Sequence, residues 1–289
     1  MSLPPLLFDR RHHSRLVVRS RTHFGRHAFL YDEACRRLAE RCGEINRTFD
    51  WAVTLDDRAG YLAAALSAVP SVGAYYASDS VPSEAGFCAD PEALPLAEGQ
   101  QPLIASVFSL QSLNDVPGHL VQVRRALRPD GVFLATFLGG ETLHELRACL
   151  SDAELAISGG CSSRFAPLID VRAAGALLQR AGFTLPVVDR DTITVTYGSL
   201  TGLLHDLRGM ALTNSLVERP RRMPPRGLFA LTEALYRERF ATPDGRLVAT
   251  FELIHLMGWA PHASQQQPAR RGSGTVALDV VVGKRDADA

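Results

Sequence analysis

Residues 51–66 read WAVTLDDRAGYLAAAL. An apolar run (Ala52, Val53, Leu55) ends in a polar tip (Asp56, Asp57, Arg58) and a glycine, Gly60, then passes into alanine- and leucine-rich sequence. That order predicts strand, tight turn and helix. In an open α/β sheet the first such turn is where backbone N–H groups and a helix N-terminus meet an anionic or nucleotide ligand. Here the turn holds one glycine where nucleotide-binding versions hold two or three, and it carries Asp56 and Asp57 as well. Its geometry predicts a site; its chemistry is poor for one.

Strand and helix keep alternating toward the C-terminus. Val72 to Ser78 reads as a second strand ending at Asp79, where a carboxylate can offer two acceptor oxygens to two ribose hydroxyls or simply cap a loop. Gly86 to Ala89 is a short third strand ending at Asp90, and Leu103 to Leu110 is apolar enough to be buried on both faces. In NDVPGHLVQVRRALRPDGVFLATF (114–137), a helix from Val116 to Leu127 stops at Pro129, and Val132 to Phe137 forms the next buried strand. Four parallel-strand candidates joined by helices imply a doubly wound sheet.

Beyond Phe137, GGETLHELRACL opens a helix, with Glu141 and His144 three apart. Metal carboxylate proteins use that spacing, but one pair alone is ordinarily a surface pair. The helix Val171 to Ala181 closes at Gly182, TITVTY (192–197) reads as strand, and Ser199 to Phe240 as helices broken at Pro220 to Pro225. LVATFELIHLMGW (247–259) and Thr275 to Val282 supply the last strand candidates. The organisation expected is a basic N-terminal helical arm (1–48) and one α/β domain (49–289), with a helical cap or insertion inside 140–245.

Thirty-one basic residues balance thirty-one acidic ones, so no global field draws in nucleic acid or membrane. Lys284 is the sole lysine, an excess of arginine that reads as genome composition. Five cysteines without a C-x-x-C pair signal neither a disulfide framework nor zinc, and no apolar run reaches membrane-spanning length. A cytoplasmic protein is expected. From Arg10 to Leu30 the chain has six arginines and four histidines and no acidic residue until Asp32. Such a stretch is either a solvated arginine face or a surface for an acidic partner, an anionic lipid or a nucleic-acid backbone.

Several motifs carry a resemblance. FDR (8–10), LRPDGVF (127–133), GGETLHELR (139–147), LLQRAGF (177–183), DLRGM (206–210), and Gly258-Trp259 followed by His262, Ser264 and Gln265 are similar to the methyltransferase-like assembly factors of respiratory complex I and their bacterial relatives. The wider likeness is to class I S-adenosylmethionine (SAM) methyltransferases, and a more distant one is to the carrier-protein methyltransferase of biotin synthesis. The resemblance implies a seven-stranded, mostly parallel, Rossmann-like sheet closed by an antiparallel pair. It implies SAM as cofactor, with Asp79 on the ribose, Asp90 beside the adenine, and Asp56, Gly60 and Leu110 around them.

It further implies a protein substrate or partner, such as a complex I subunit, met by Gly140, Glu141, Trp259, His262, Ser264 and Gln265 at the periphery of membrane complexes. The activity it implies is transfer of a methyl group to a protein side chain or hydroxylation of an arginine. The alternative is a non-catalytic assembly factor with a degenerate loop. Thr54, Asp56 and Arg58 stand where the family-type loop has an acidic residue and its first two glycines. A carboxylate at Asp56 near the cofactor carboxylate can cost several kcal/mol, on the order of a thousandfold in affinity. Gln111 and Ser112 replace a usual His-Trp pair, and Pro102 replaces the aspartate that usually begins that strand.

Overall fold

The computed structural model describes residues 6–82, 86–267 and 272–273. Its sheet has seven strands: β1 (Ala52–Leu55), β2 (Tyr75–Asp79), β3 (Phe87–Cys88), β4 (Gln101–Val107), β5 (Leu127–Leu138), β6 (Thr184–Tyr197) and β7 (Leu247–Trp259). They lie in the order β3-β2-β1-β4-β5-β7-β6. The first five run parallel, and β7 is antiparallel to both β5 and β6. This is the doubly wound sheet expected, down to the antiparallel closing pair. The strand expected over 275–282 lies outside the described residues.

The helices are α1 (Arg10–Ser20), α2 (Phe29–Gly43), α3 (Tyr61–Ser67), α4 (Val116–Ala126), α5 (His144–Ser158), α6 (Val171–Arg180), α7 (Leu200–Gly209) and α8 (Leu228–Phe240). One apolar cluster joins α2, α3, α5, α7 and α8 to one face of the sheet, and a second joins α4 and α6 to the other. Helix α2 shows why the basic segment is no loose arm along its whole length. Leu30, Ala34, Leu38 and Cys42 recur at helical spacing and are each at most 2% exposed. Each large apolar side chain so buried contributes about 1.5–3 kcal/mol. Residues 29–43 therefore share the sheet's core, as do Phe24 and Ala28 just before them.

Two boundaries differ from the sequence reading. Strand β4 stops at Val107 because Phe108 turns to a φ of 56°, and β5 begins at Leu127 by pairing with Gln101 across a register shift. Helix α5 starts at His144, since Leu143 has a φ of 53° and Gly139 and Leu143 donate to the Glu252 and Thr250 carbonyls of β7 instead. Glu141 thus precedes the helix, and it shares no helical face with His144. No group of three potential metal ligands occurs among the described residues.

Candidate functional site

The parallel strands end at one rim of the sheet, where an α/β fold puts its ligand crevice. At the tip of β1 the chain turns through Asp56 (φ 56°), Ala59 (φ 54°) and Gly60 (φ 74°). Left-handed backbone at position 56 is what a glycine there would adopt freely, and aspartate is among the few other residues that tolerate it. Asp57 turns inward. Its carboxylate accepts from the Leu62 and Ala63 N–H groups at 2.9 and 2.8 Å and from Thr54 Oγ1 at 3.0 Å. The helix N-terminus that could meet an anion is thereby filled by the chain's own anion.

Asp56 faces the tip of β2, accepting from Ser80 Oγ at 2.5 Å and from Ser80 N at 3.3 Å. Tyr31 in α2 pins the turn, donating to the Asp56 carbonyl at 3.2 Å and accepting from Arg58 N at 3.1 Å. Asp79 ends β2, 3% exposed. Burial, then the nearby Asp56 carboxylate, push its pKa above the usual value.

The arm sits on this rim. Arg21 Nη2 reaches Asp79 Oδ2 at 3.1 Å and the Val81 carbonyl at 3.1 Å, while its Nη1 donates to the Pro82 carbonyl. Arg10 grips Asp90 through two bonds of 2.5 and 3.0 Å and Glu92 at 3.2 Å, which holds the Asp90 pKa below its ordinary value. Both carboxylates expected at the nucleotide are ion-paired to arginines of one short N-terminal segment. Sequence reasoning missed Arg10 and Arg21 as site residues. The signal was an acid-free run of arginines beside a cleft holding isolated aspartates.

The segment between β6 and β7 clamps the arm from the other side. His27 Nδ1 is 2.7 Å from Asp206 Oδ1 in α7, Arg219 pairs with Asp9 at 3.0 Å, and Phe8 bridges Leu216. Gly209 lets α7 come this close, since a Cβ there would lie 2.2 Å from the His27 ring. Here the DLRGM motif meets the arm.

Under the clamp lies a cavity of about 140 Å³, lined by His13, Arg58, Phe108, Gln111, Thr142, Arg147 and Arg164 among others. Sites for ligands of ordinary size have roughly 300–1,000 Å³. Against the expectation of SAM at this rim, Asp79 stands at the strand end where a ribose carboxylate is expected, but Asp56 and Arg58 carry side chains where the resemblance expects glycines. Burial, and then Arg58, push the His13 pKa down to about 4, so His13 is neutral at ordinary pH. Leu110 opens a single turn after β4 and is 2% exposed within the second core cluster, away from the cavity.

The residues assigned to a partner separate into two groups. Gly140 and Glu141 follow β5 on the same rim as the cavity, with Glu141 N donating to Glu252 Oε2 at 3.0 Å. Trp259, His262, Ser264 and Gln265 lie at the opposite end, because Trp259 pairs with Val132 near the start of β5. Six residues of strand, roughly 20 Å, separate the two ends. Gln265 closes the second end, donating to Asp130 Oδ1 at 3.0 Å and the Ala260 carbonyl at 2.8 Å while accepting from Thr184 Oγ1 at 2.7 Å. His262 and Ser264 bond each other at 2.6 Å on the surface, and Arg47 stands 6.0 Å over the Trp259 ring.

The comparisons with known proteins fit this architecture. A family described as "Methyltransferase domain" matches residues 52–135, the stretch from β1 into β5. The mouse protein "Arginine-hydroxylase NDUFAF5, mitochondrial" is 37% identical over 262 residues, covering 86% of this chain and 76% of that protein. Its human counterpart is 36% identical over 86% of this chain and 75% of its own length. A "Malonyl-[acyl-carrier protein] O-methyltransferase" of Xylella fastidiosa is 36% identical over 172 residues, 60% of this chain and 56% of that one. Among solved structures, the YcgJ protein of Bacillus subtilis matches with a TM-score of 0.53 at 14% identity, over 79% of this chain and 99% of that one, which speaks for the fold alone. The chain carries the class I SAM methyltransferase fold and belongs to the methyltransferase-like family of the NDUFAF5 arginine hydroxylases.

Proposed function

We propose that this protein acts in respiratory complex I assembly by modifying a side chain of a protein partner at the rim that holds Asp79, with SAM bound there once the arm lifts. Supporting this reading is Asp79 itself. A carboxylate 3% exposed, with its pKa raised by burial, is costly to keep; Arg21 and Val81 N donate to it while the arm is down, and ribose hydroxyls would replace Arg21 once the arm lifts. The protein would work in the cytoplasm and meet the membrane complex peripherally; among the described residues no helix is long and apolar enough to cross a membrane. Calorimetry with SAM and S-adenosylhomocysteine tests the cofactor. Binding that Asp79→Ala abolishes would support the assignment, and no heat at millimolar ligand would remove SAM from the account.

A second reading, favoured by the side chains of Asp56 and Arg58 in the glycine positions, is an assembly factor without catalysis. It predicts capture of complex I subunits by a protein that binds no SAM. Deletion of residues 258–274 should then abolish capture, and an intact interaction would count against the Trp259 end as the gripping surface.

A further inference from the structure

We infer that the cavity beneath the clamp is an anion site that takes a carboxylate, held by Arg58 and Arg147. Arg58 is 6% exposed and lines the cavity. Its one hydrogen bond from the side chain is Nη1 to the Met210 carbonyl at 2.5 Å, and among the described residues no carboxylate stands within ion-pair distance of it. Half-buried Arg147 is bonded, among the described residues, to a carbonyl alone, that of Gly140, at 2.5 Å. A buried cation without a counter-ion is strongly unfavourable, and the ordinary remedy is an anion in contact with it. The third guanidinium on the wall, Arg164, shows what a satisfied one looks like there: it takes both Glu154 oxygens, at 2.7 and 3.0 Å.

Among the described residues, no aspartate or glutamate lines the cavity. Asp56, the nearest loop carboxylate, is committed to Ser80, and neutral His13 adds a polar wall without adding charge. The volume of about 140 Å³ suits a carboxylate-sized group, and Gln111, Thr142 and Asn214 offer further polar atoms around it. Guanidinium forks match carboxylate oxygens two by two, which selects this class of anion. A cationic group, whether a sulfonium or an arginine side chain, meets like charge on the same wall. Two sources could deliver the carboxylate: the amino-acid end of a SAM-type cofactor, or an acidic group of the partner.

The test uses the full chain and malonate as probe, with chloride at equal ionic strength and N-methylguanidine as the cationic control, read by thermal shift. Malonate at millimolar concentration should raise Tm by at least about 2 °C, and Arg58→Gln should lose that response. Without ligand, Arg58→Gln should melt no lower than the parent, because it removes an unpaired buried charge. If that variant fails to fold, Arg147→Gln carries the same measurement. S-adenosylhomocysteine binding at least about tenfold tighter than 5′-methylthioadenosine, a gap closed in Arg58→Gln, identifies the cofactor's amino-acid end as the source. Equal affinities, or no nucleoside binding, together with a malonate response identify an acidic group of the partner, so loss of the cofactor reading leaves the anion site standing. No malonate response, a response as large as the parent's in both arginine variants, or stabilisation by N-methylguanidine instead would overturn the proposal.

Discussion

Arg21 Nη2 lies 3.1 Å from Asp79 Oδ2, so the carboxylate proposed to meet a ribose is held by the chain's own N-terminal segment. Arg21 is 38% exposed along its side chain, which limits the worth of the pair to about 1 kcal/mol or less. Replacing both Arg10 and Arg21 by alanine should therefore tighten S-adenosylhomocysteine binding, by roughly two- to fivefold. Calorimetry on the double variant checks this, and weaker binding would mean that the arginines help to hold the ligand.

Gly209→Ala should push the His27 ring off α7, since the added methyl would lie 2.2 Å from it. The ring is flanked by its 2.7 Å contact with Asp206, so the whole clamp shifts. A loss of about 1–3 kcal/mol in urea unfolding is expected. Faster proteolysis within residues 9–28 should accompany it.

Acid should destabilise the protein through His255. Burial, and then Arg41, hold its pKa down to about 4, against about 6.5 in an unfolded chain. The stability linked to this group is fully present above pH 6.5 and is lost as pH falls toward 4, on the order of 3 kcal/mol. His13, also held at about 4, adds in the same direction. Urea midpoints measured from pH 7.5 to 4 should fall steeply over that window in the parent and less steeply in His255→Gln.

Gln265→Ala removes the three bonds that tie Asp130, Ala260 and Thr184 together. It should cost about 1–2 kcal/mol and leave ligand binding at the other end of the sheet unchanged. A change in S-adenosylhomocysteine affinity would reveal coupling between the two ends.

Much of the framework was legible in the sequence because it depends on local pattern. The run at 51–66, the apolar stretch before Phe108 and the Arg-Pro-Asp-Gly turn each carry their own periodicity and punctuation, and the strands and helices follow. The place of Asp79 at a strand end was legible because it needs only the strand to be found. What Asp57 does was not, since only the closed turn shows it bonding Leu62 and Ala63 rather than a ligand. The pairings of Arg10 and Arg21 join residues 80 and 58 positions apart, beyond any local signal. The two groups of partner residues also looked like one set in sequence, and only the antiparallel direction of β7 sends Trp259 to the far end.

The burial of α2 sets the anatomy of any opening. With Phe24 buried against Tyr31 and Tyr61, Leu30 fully buried and Tyr31 bonded to the turn at Asp56, the chain is anchored from Phe24 onward. Whatever uncovers Asp79 must move Arg21, so the pivot falls at the 3-10 turn Arg21–His23, just before buried Phe24. An engineer wishing to expose the cleft should remove Arg21 and stop before Phe24. A longer truncation would pull a core helix out of the sheet and be mistaken for loss of function.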